Sequence, residues 1–239
     1  CTPNYLHTEM AVGVLQANKP VNVEKPIAMD YAQACEILAA EKESSAFGMT
    51  CFSYRFMPAV RYAKYLVDQG TIGQIVGMNI AYLKCSAFWQ GRRLEWRFVK
   101  KYAGSGVIGD LGVHLFDLAQ ILAGDIKRLC ASTKIVIKER QDLHSDVILP
   151  VETEDMCSLV MQFAGGADAS VHVTRCAIGH NNTIRYDVYG TRGAISFDLD
   201  KPDHLYLCHG EGDPKNFPVQ DIQVPKEFFL SQEQASIDA

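Results

Sequence analysis

Pro20-Val21-Asn22-Val23-Glu24-Lys25-Pro26, then a polar-apolar run from Asp30 to about Glu43, then Met49-Thr50-Cys51-Phe52-Ser53-Tyr54, is the stretch that decides the fold. Two short β-rich runs flank one helix. Asp30 with Gln33 forms a capping-box variant that opens it, and Ile37 and Leu38 are among its apolar positions. Strands joined through a helix pair in parallel, so this segment predicts an α/β sheet. Upstream, Asn4 to Asn18 places Leu6, Met10, Val14 and Leu15 at three-to-four spacing behind Pro3, which suits the first turn of a helix. Downstream, Pro58 to Gln69 reads as a helix closed by Gly70.

Beyond Gly73 the period changes. Ile75 to Lys84 alternates like a strand, and Gly109 to Leu122 is helical, with Leu111, Leu115, Leu118, Ile121 and Leu122 on its apolar side and Gly124 as its stop. The remainder is β-rich: Leu129 to Ile137, Met156 to Phe163, Ala169 to Thr174, Ile184 to Tyr189, Ala194 to Leu199 and Leu205 to Cys208. Gly165-Gly166 and Gly190-Thr191-Arg192-Gly193 join neighbouring runs as hairpin loops would. Strands in succession after an α/β segment predict a second, α+β domain built on a large, mostly antiparallel open sheet. The division falls in the forties to fifties, giving residues 1–50 and 51–239 as the two units.

Composition narrows the partners. The chain has 239 residues, 48% apolar and 21% charged, with 23 Lys plus Arg against 28 Asp plus Glu for a net charge of −5. A mildly acidic chain without a Lys/Arg block has no grip on nucleic acid or on an anionic membrane, which points to small-molecule partners. Eight cysteines are spread through the chain without a Cys-x-x-Cys. Zinc and redox motifs need close thiolates, so these read as small buried hydrophobes in a reducing cytoplasm. No uninterrupted apolar run approaches the roughly 20 residues of a spanning helix, and no signal peptide opens the chain, so a cytoplasmic location is expected.

Two places carry chemistry. Lys25 stands in Glu24-Lys25-Pro26 at a strand end of the α/β segment, where ligands bind; its ammonium can stabilise a developing alkoxide or polarise a carbonyl. By itself a Lys before Pro is most often a solvated turn residue. In Gly104-Ser105-Gly106-Val107-Ile108-Gly109-Asp110-Leu111-Gly112-Val113-His114, Asp110 and His114 are four apart and share a helix face. His114 there can serve as general base, oriented by the carboxylate or by a substrate hydroxyl. The pair also has a purely structural reading, a helix cap and a satisfied polar residue. No further His, Cys or Glu cluster accompanies it, so no metal site is assigned.

Together these motifs resemble the Gfo/Idh/MocA family of NAD(P)-dependent oxidoreductases. Thr2-Pro3-Asn4 followed by His7 looks like that family's strand-end loop beside the nicotinamide, and Val23-Glu24-Lys25-Pro26 matches its Glu-Lys-Pro signature. Tyr54-Arg55-Phe56-x-Pro58 with Gly70-x-Ile72-Gly73 resembles its interdomain hinge, and Trp96-Arg97 with Gly104 to His114 its second-domain signature. The resemblance implies a partial Rossmann domain, doubly wound and parallel, ahead of the large sheet. It implies Lys25, Asp110 and His114 as the catalytic triad, His114 being the proton acceptor. Thr2, Pro3, Asn4, His7, Glu24, Lys25 and Arg97 would line NAD or NADP. The implied reaction is reversible hydride transfer between a sugar or cyclitol carbinol carbon and the nicotinamide. Later segments look like members acting on pyranoses or inositols, which makes Arg175, His180 and Asn181 candidates for substrate hydroxyls; the alternative for these three is a polar sheet surface or a subunit contact.

The sequence departs from the family in one major respect: no Gly-x-Gly-x-x-Gly lies between a strand and a helix. In the family that fingerprint precedes Thr-Pro-Asn by roughly 70 residues, the first βαβ units of a Rossmann domain. Either the sequence is a segment of a longer protein or the product genuinely lacks them; half a parallel sheet would expose apolar edges, which favours the first. Phe228 to Ala239 reads as the opening of a further amphipathic helix. The glycine triplet Gly104-Ser105-Gly106 is a mild variation. A nicotinamide-dependent glycoside hydrolase of the same family and a non-catalytic binding or scaffold protein remain as alternatives. The resemblance and the need to cover an open sheet imply a homo-oligomer, dimer or tetramer, formed through the second-domain sheet.

Overall fold

The computed structural model describes residues 2–230. A single 3₁₀ turn, Asn4–Leu6, leads into α1 (His7–Gln16); then follow β1 (Val21–Val23), α2 (Tyr31–Glu43) and β2 (Gly48–Thr50). β1 and β2 pair in parallel from Val21↔Gly48 to Val23↔Thr50, as a strand-helix-strand unit requires. The two helices cover this pair through Ala11, Leu15, Val23, Ile37 and Ala40, a small core of its own. Asp30 caps α2 by accepting from the Gln33 amide at 2.9 Å, while the Gln33 side chain reaches back to the Met29 amide at 3.2 Å, one residue earlier than in the usual box.

The chain then runs through a 3₁₀ turn, Ser53–Phe56, into α3 (Pro58–Asp68), β3 (Ile75–Leu83), the short α4 (Lys100–Ala103) and α5 (Val113–Ala123). The remaining strands are β4 (Ile126–Lys134), β5 (Glu139–Gln141), β6 (Ile148–Pro150), β7 (Met156–Phe163), β8 (Asp168–Thr174), β9 (Thr183–Gly190), β10 (Gly193–Asp198), β11 (His204–His209) and β12 (Val219–Gln223). Seven of these and β3 form one sheet in the order β12-β11-β10-β9-β3-β8-β7-β4. Only β3 and β8 run parallel; every other neighbour is antiparallel. β5 and β6 make a separate small hairpin.

One face of this sheet is covered by α3 and α5. Ala59, Val60, Ala63 and Leu66 of α3, and Leu115, Leu118, Ala119 and Leu122 of α5, pack against Ile80, Tyr82, Leu159, Met161, Val171, Val173, Tyr186 and Ile195. β7 shows the period-2 rule directly: Cys157, Leu159, Met161 and Phe163 point in, while Ser158 and Val160 are exposed. No helix among the described residues covers the opposite face. It carries Asn79, Ser158, Val160, Ser170, His172 and Arg185, with two shallow depressions of about 610 and 690 Å³, and β4 at its edge is exposed along nearly its whole length.

The structure alters several expectations. The helix expected over Gly109 to Leu122 opens with a π-helical turn, Ile108–Gly112, before α5 becomes regular. The strand expected to reach Tyr54 stops at Thr50, because Phe52 to Met57 winds into the 3₁₀ turn. β12 and the β5–β6 hairpin were not expected: they are short and mostly exposed, so no burial alternation marks them. Of the described cysteines all seven are free thiols, but only Cys157 is buried; Cys35 and Cys130 are exposed, which corrects the view of them as core hydrophobes. The stretch Lys100–Ala123 is long and apolar enough to cross a bilayer by length and composition, yet its leucines are buried beneath the sheet. The helix expected from Phe228 to Ala239 lies almost wholly outside the described residues.

Tyr186 fixes α5 on the sheet. Its ring stacks on Phe197 at 5.2 Å and its buried hydroxyl donates to the carbonyl of Leu115 at 2.9 Å, one residue from His114. Tyr186→Phe keeps the ring and removes the bond, and should lower unfolding stability by about 1 kcal/mol. Urea titration should show a lower midpoint at unchanged slope; an unchanged midpoint would refute the anchoring role.

Candidate active site

Lys25 follows β1, and its ammonium crosses to the π-helical turn ahead of α5. Nζ donates to the Asp110 carbonyl at 2.6 Å and lies 3.1 Å from Oδ1 of the same residue. Burial pushes the Asp110 carboxyl up, but the charges of Lys25, Arg175 and Arg97 and the Lys25 hydrogen bond outweigh it and hold the group below its ordinary value. Asp110 is therefore an anion that spends itself on Lys25. No hydrogen bond joins it to His114, although the two were expected to face one another.

His114 is buried in an aromatic shell. Tyr54 meets its ring edge-on at 4.8 Å between centroids, Phe52 at 6.0 Å and Tyr82 at 6.3 Å. Nδ1 is enclosed with no hydrogen-bond partner, and the residue as a whole is 6% exposed. Burial and the positive charge of Lys25 bring its pKa down to about 4, against the opposing pull of Asp110, with Lys84 adding to the depression. The imidazole is neutral at pH 7.

A cleft of about 270 Å³ gathers most of the predicted residues, Thr2, Pro3, Asn4, His7, Glu24 and Lys25 from the first unit and Arg97, Asp110 and Arg175 from the second, whereas His114 is not part of its lining. The cleft opens beside the carboxyl end of β1, where α/β sheets bind ligands. Two of its members are struts. Asn4 donates to the carbonyl of Ala103 at 2.9 Å, and His7 lies between the carbonyls of Pro26 at 2.8 Å and Thr2 at 3.1 Å, which ties the rim together. Arg97 stacks on Trp96 at 4.4 Å and bonds Glu95 at 3.1 Å, yet stays 41% exposed and so retains donors for a ligand. Glu24, Thr2 and Arg97 are thus a donor and acceptor set that a nicotinamide with its amide and ribose can use.

Arg175 lines the cleft but is 2% exposed; its Nε lies 3.8 Å from Asp155 Oδ1, and both terminal nitrogens lack partners within the protein. His180 turns its Nδ1 to Thr183 Oγ1 at 3.1 Å, and Asn181 is exposed; neither lines the cleft. The run Glu152 to Asp155 is a set of clamps. Glu152 accepts from the Lys100 amide, Thr153 donates to the Arg97 carbonyl, Glu154 accepts from the amides of Gly106 and Ile108, and Asp155 accepts from Val136 and Ile137. Gly106 is obligatory in this clamp, since a Cβ there would collide with the Glu154 backbone, and Gly104 has φ +77° with Met29 pressed against it.

Sequence reading passed over Tyr54 as a site residue, and over Tyr82 and Asn182 altogether. Tyr82 lies 6.3 Å from His114, and burial and Tyr54 push its phenol well above the ordinary value. Its only sequence signal is an inward position in β3, shared with Met78 and Ile80.

Comparison with known proteins agrees with this architecture. Residues 1–51 match the family described as an oxidoreductase family with an NAD-binding Rossmann fold, and residues 60–196 match the GFO/IDH/MocA C-terminal domain. Levoglucosan dehydrogenase of Pseudarthrobacter phenanthrenivorans is 35% identical over 219 residues, which cover 87% of this chain and 56% of that protein. Inositol 2-dehydrogenase of Rhizobium meliloti is 25% identical over 89% of this chain and 60% of its own length. The structure of levoglucosan dehydrogenase in complex with NADH and L-sorbose superimposes with a TM-score of 0.89 at 32% identity, over 93% of this chain and 60% of that one. The chain thus spans somewhat over half the length of these relatives. With both of its segments matched, the second over more than half of the chain, it belongs to the GFO/IDH/MocA oxidoreductase family.

Proposed function

We propose that these residues form the catalytic part of an NAD-dependent dehydrogenase that oxidises a CH–OH group of a sugar or inositol-like polyol. The carrying observation is the Lys25–Asp110 contact, close enough to the neutral His114 imidazole for both charges to act on it. In this reading residues 1–50 complete the nucleotide side and 51–239 supply the substrate and assembly side. Thr2, Glu24 and Arg97 hold the nicotinamide end of the cofactor, which supplies a hydride acceptor when bound. The likeness to enzymes named for levoglucosan and inositol, and to structures solved with NADH, supports the substrate class and the choice of NAD.

The chain's own groups divide the proton work. Lys25 Nζ donates to the carbinol oxygen and stabilises negative charge as it develops. His114 Nε2 takes the hydroxyl proton, and Asp110 keeps Lys25 charged and aimed. Because a base with a pKa near 4 is weak, the ammonium must carry much of the alkoxide stabilisation. Absorbance of reduced nicotinamide with the full-length enzyme and a panel of sugars and inositols tests the assignment; silence across the panel would sink it. Lys25→Met should lower kcat by about 10²–10³-fold with NAD affinity little changed. His114→Asn should lower kcat by about 10²–10⁴-fold under the same condition, and an unchanged rate in either variant refutes that residue's role.

The depressed His114 has a stability consequence. Its folded value of about 4 lies below the ordinary 6.5, so its contribution is complete above pH 6.5 and is lost as pH falls toward 4. Titration of the imidazole followed by NMR should show a midpoint near 4; a midpoint near 6.5 would contradict the buried, cation-flanked environment.

The uncovered sheet face supports a homo-oligomer joined through it. Val160 is 58% exposed on that face and stands directly opposite the exposed Cys130 of β4, an apolar pair that a second copy would cover. Introducing charge with Val160→Asp and Cys130→Asp should shift the light-scattering mass to that of the monomer, and an unaltered assembly would place the interface elsewhere.

A further inference from the structure

Three side chains from distant parts of the chain meet beside His114. Tyr54 stands in the 3₁₀ turn before α3, Tyr82 near the end of β3, and Asn182 just ahead of β9. The two phenol oxygens are 3.1 Å apart, Tyr82 Oη donates to Asn182 Oδ1 at 2.8 Å, and Asn182 Nδ2 donates to Tyr54 Oη at 3.2 Å. The three bonds close a triangle. Both tyrosine rings pack on the imidazole, and Asn182 is exposed, so the triangle is open on the Asn182 side.

The supply of hydrogens around this triangle is limited. The Tyr82 hydrogen is committed to Asn182, so the Tyr54 hydrogen must serve the Tyr82 oxygen. What remains unspent is a lone pair on each of three oxygens and a single amide hydrogen on Asn182. Such a cluster offers mostly acceptors. A carbonyl or ether oxygen finds little there, whereas a hydroxyl group, which brings its own hydrogen, finds a partner in any of the three. Tyr54 rests on a 3₁₀ turn and Tyr82 on β3, and their hydrogen bonds to Asn182 hold the acceptors in place before a ligand arrives.

We propose that Tyr54, Tyr82 and Asn182 form a hydroxyl-recognition subsite next to His114, which selects substrates bearing a second hydroxyl close to the carbinol being oxidised. The proposal rests on the dehydrogenase reading and assigns the substrate contact to Asn182 and the two phenols. The vicinal hydroxyl donates into the triangle while the reacting hydroxyl faces Nε2. A substrate lacking that hydroxyl leaves the acceptors unpaired in a half-buried site, which costs affinity for that analogue specifically.

The test measures kcat/KM of the full-length enzyme with NAD for a polyol substrate and its set of monodeoxy analogues. The wild type should prefer the parent over one particular monodeoxy isomer by about 10-fold or more. In Asn182→Leu and in Tyr82→Phe that preference should collapse toward unity, while the preference over the other isomers persists. A purely structural role would lower kcat/KM for every substrate in proportion and leave the ratios alone, so ratios unmoved in both variants overturn the subsite. A wild type inert to the whole panel overturns the dehydrogenase reading, and the subsite with it; an active wild type with unmoved ratios overturns the subsite alone.

Discussion

The Lys25 ammonium, closed on both the carbonyl and the carboxylate of Asp110, is the contact from which the rest of the site takes its geometry. It joins the end of β1 to the turn that starts α5, across 85 residues of sequence. A charged donor with two oxygen acceptors on one residue makes shorter and stronger bonds than a neutral pair, and it fixes direction as well as distance. The carboxylate is surrounded by cations: Lys25, Arg175 and Arg97 all lower its proton affinity. Without Asp110 those positive charges would repel one another within a half-buried cleft, and Lys25 would have no reason to point at the substrate position. The pair therefore serves the alignment of an ammonium more than net stability.

That alignment needs a rigid second anchor, and the run Glu152 to Asp155 provides it. Four consecutive side chains grip Lys100, Arg97, the turn at Gly106 and Ile108, and the stretch after β4. All of the backbone amides so engaged would otherwise lie at loop or helix ends without partners. Tyr186 then ties α5 to the sheet from below. The π-helical turn Ile108–Gly112 is the local consequence: Glu154 takes the amides of Gly106 and Ile108, so the first turn is shaped by a side chain from another segment.

Local pattern and long-range pairing differ in how far a sequence displays them. The hairpin at Gly165-Gly166 and the alternation of β7 follow from turn chemistry and period-2 burial, and both are readable directly. β12 is not, because Val219 to Gln223 lies at a sheet edge and buries almost nothing, so its pattern carries no hydrophobic signal. In the site, Lys25, Asp110 and His114 stand out through their motifs. Their actual division, with Asp110 on Lys25 rather than on His114, depends on contacts spanning the chain that spacing along α5 does not report. Asn181 and Asn182 show the limit most sharply. The two are identical in type and adjacent in sequence, yet only Asn182 reaches Tyr54 and Tyr82.

The imidazole and the ammonium are coupled through the same charge distribution. Lys25 lowers the pKa of His114, so the cation that eases ionisation of a bound hydroxyl also weakens the base that would receive its proton. The two effects do not cancel, because the ammonium acts on developing oxygen charge at hydrogen-bond distance, whereas it acts on the imidazole only through space. The unpartnered Nδ1 does not shift this balance. With Nε2 free to accept a proton the imidazole carries its own hydrogen on Nδ1, so that unpaired N–H is buried in the neutral base and in the imidazolium alike. Burial and the Lys25 charge are what disfavour the charged form of His114. Its aromatic shell provides orientation in place of the carboxylate partner that Asp110, committed to Lys25, does not supply.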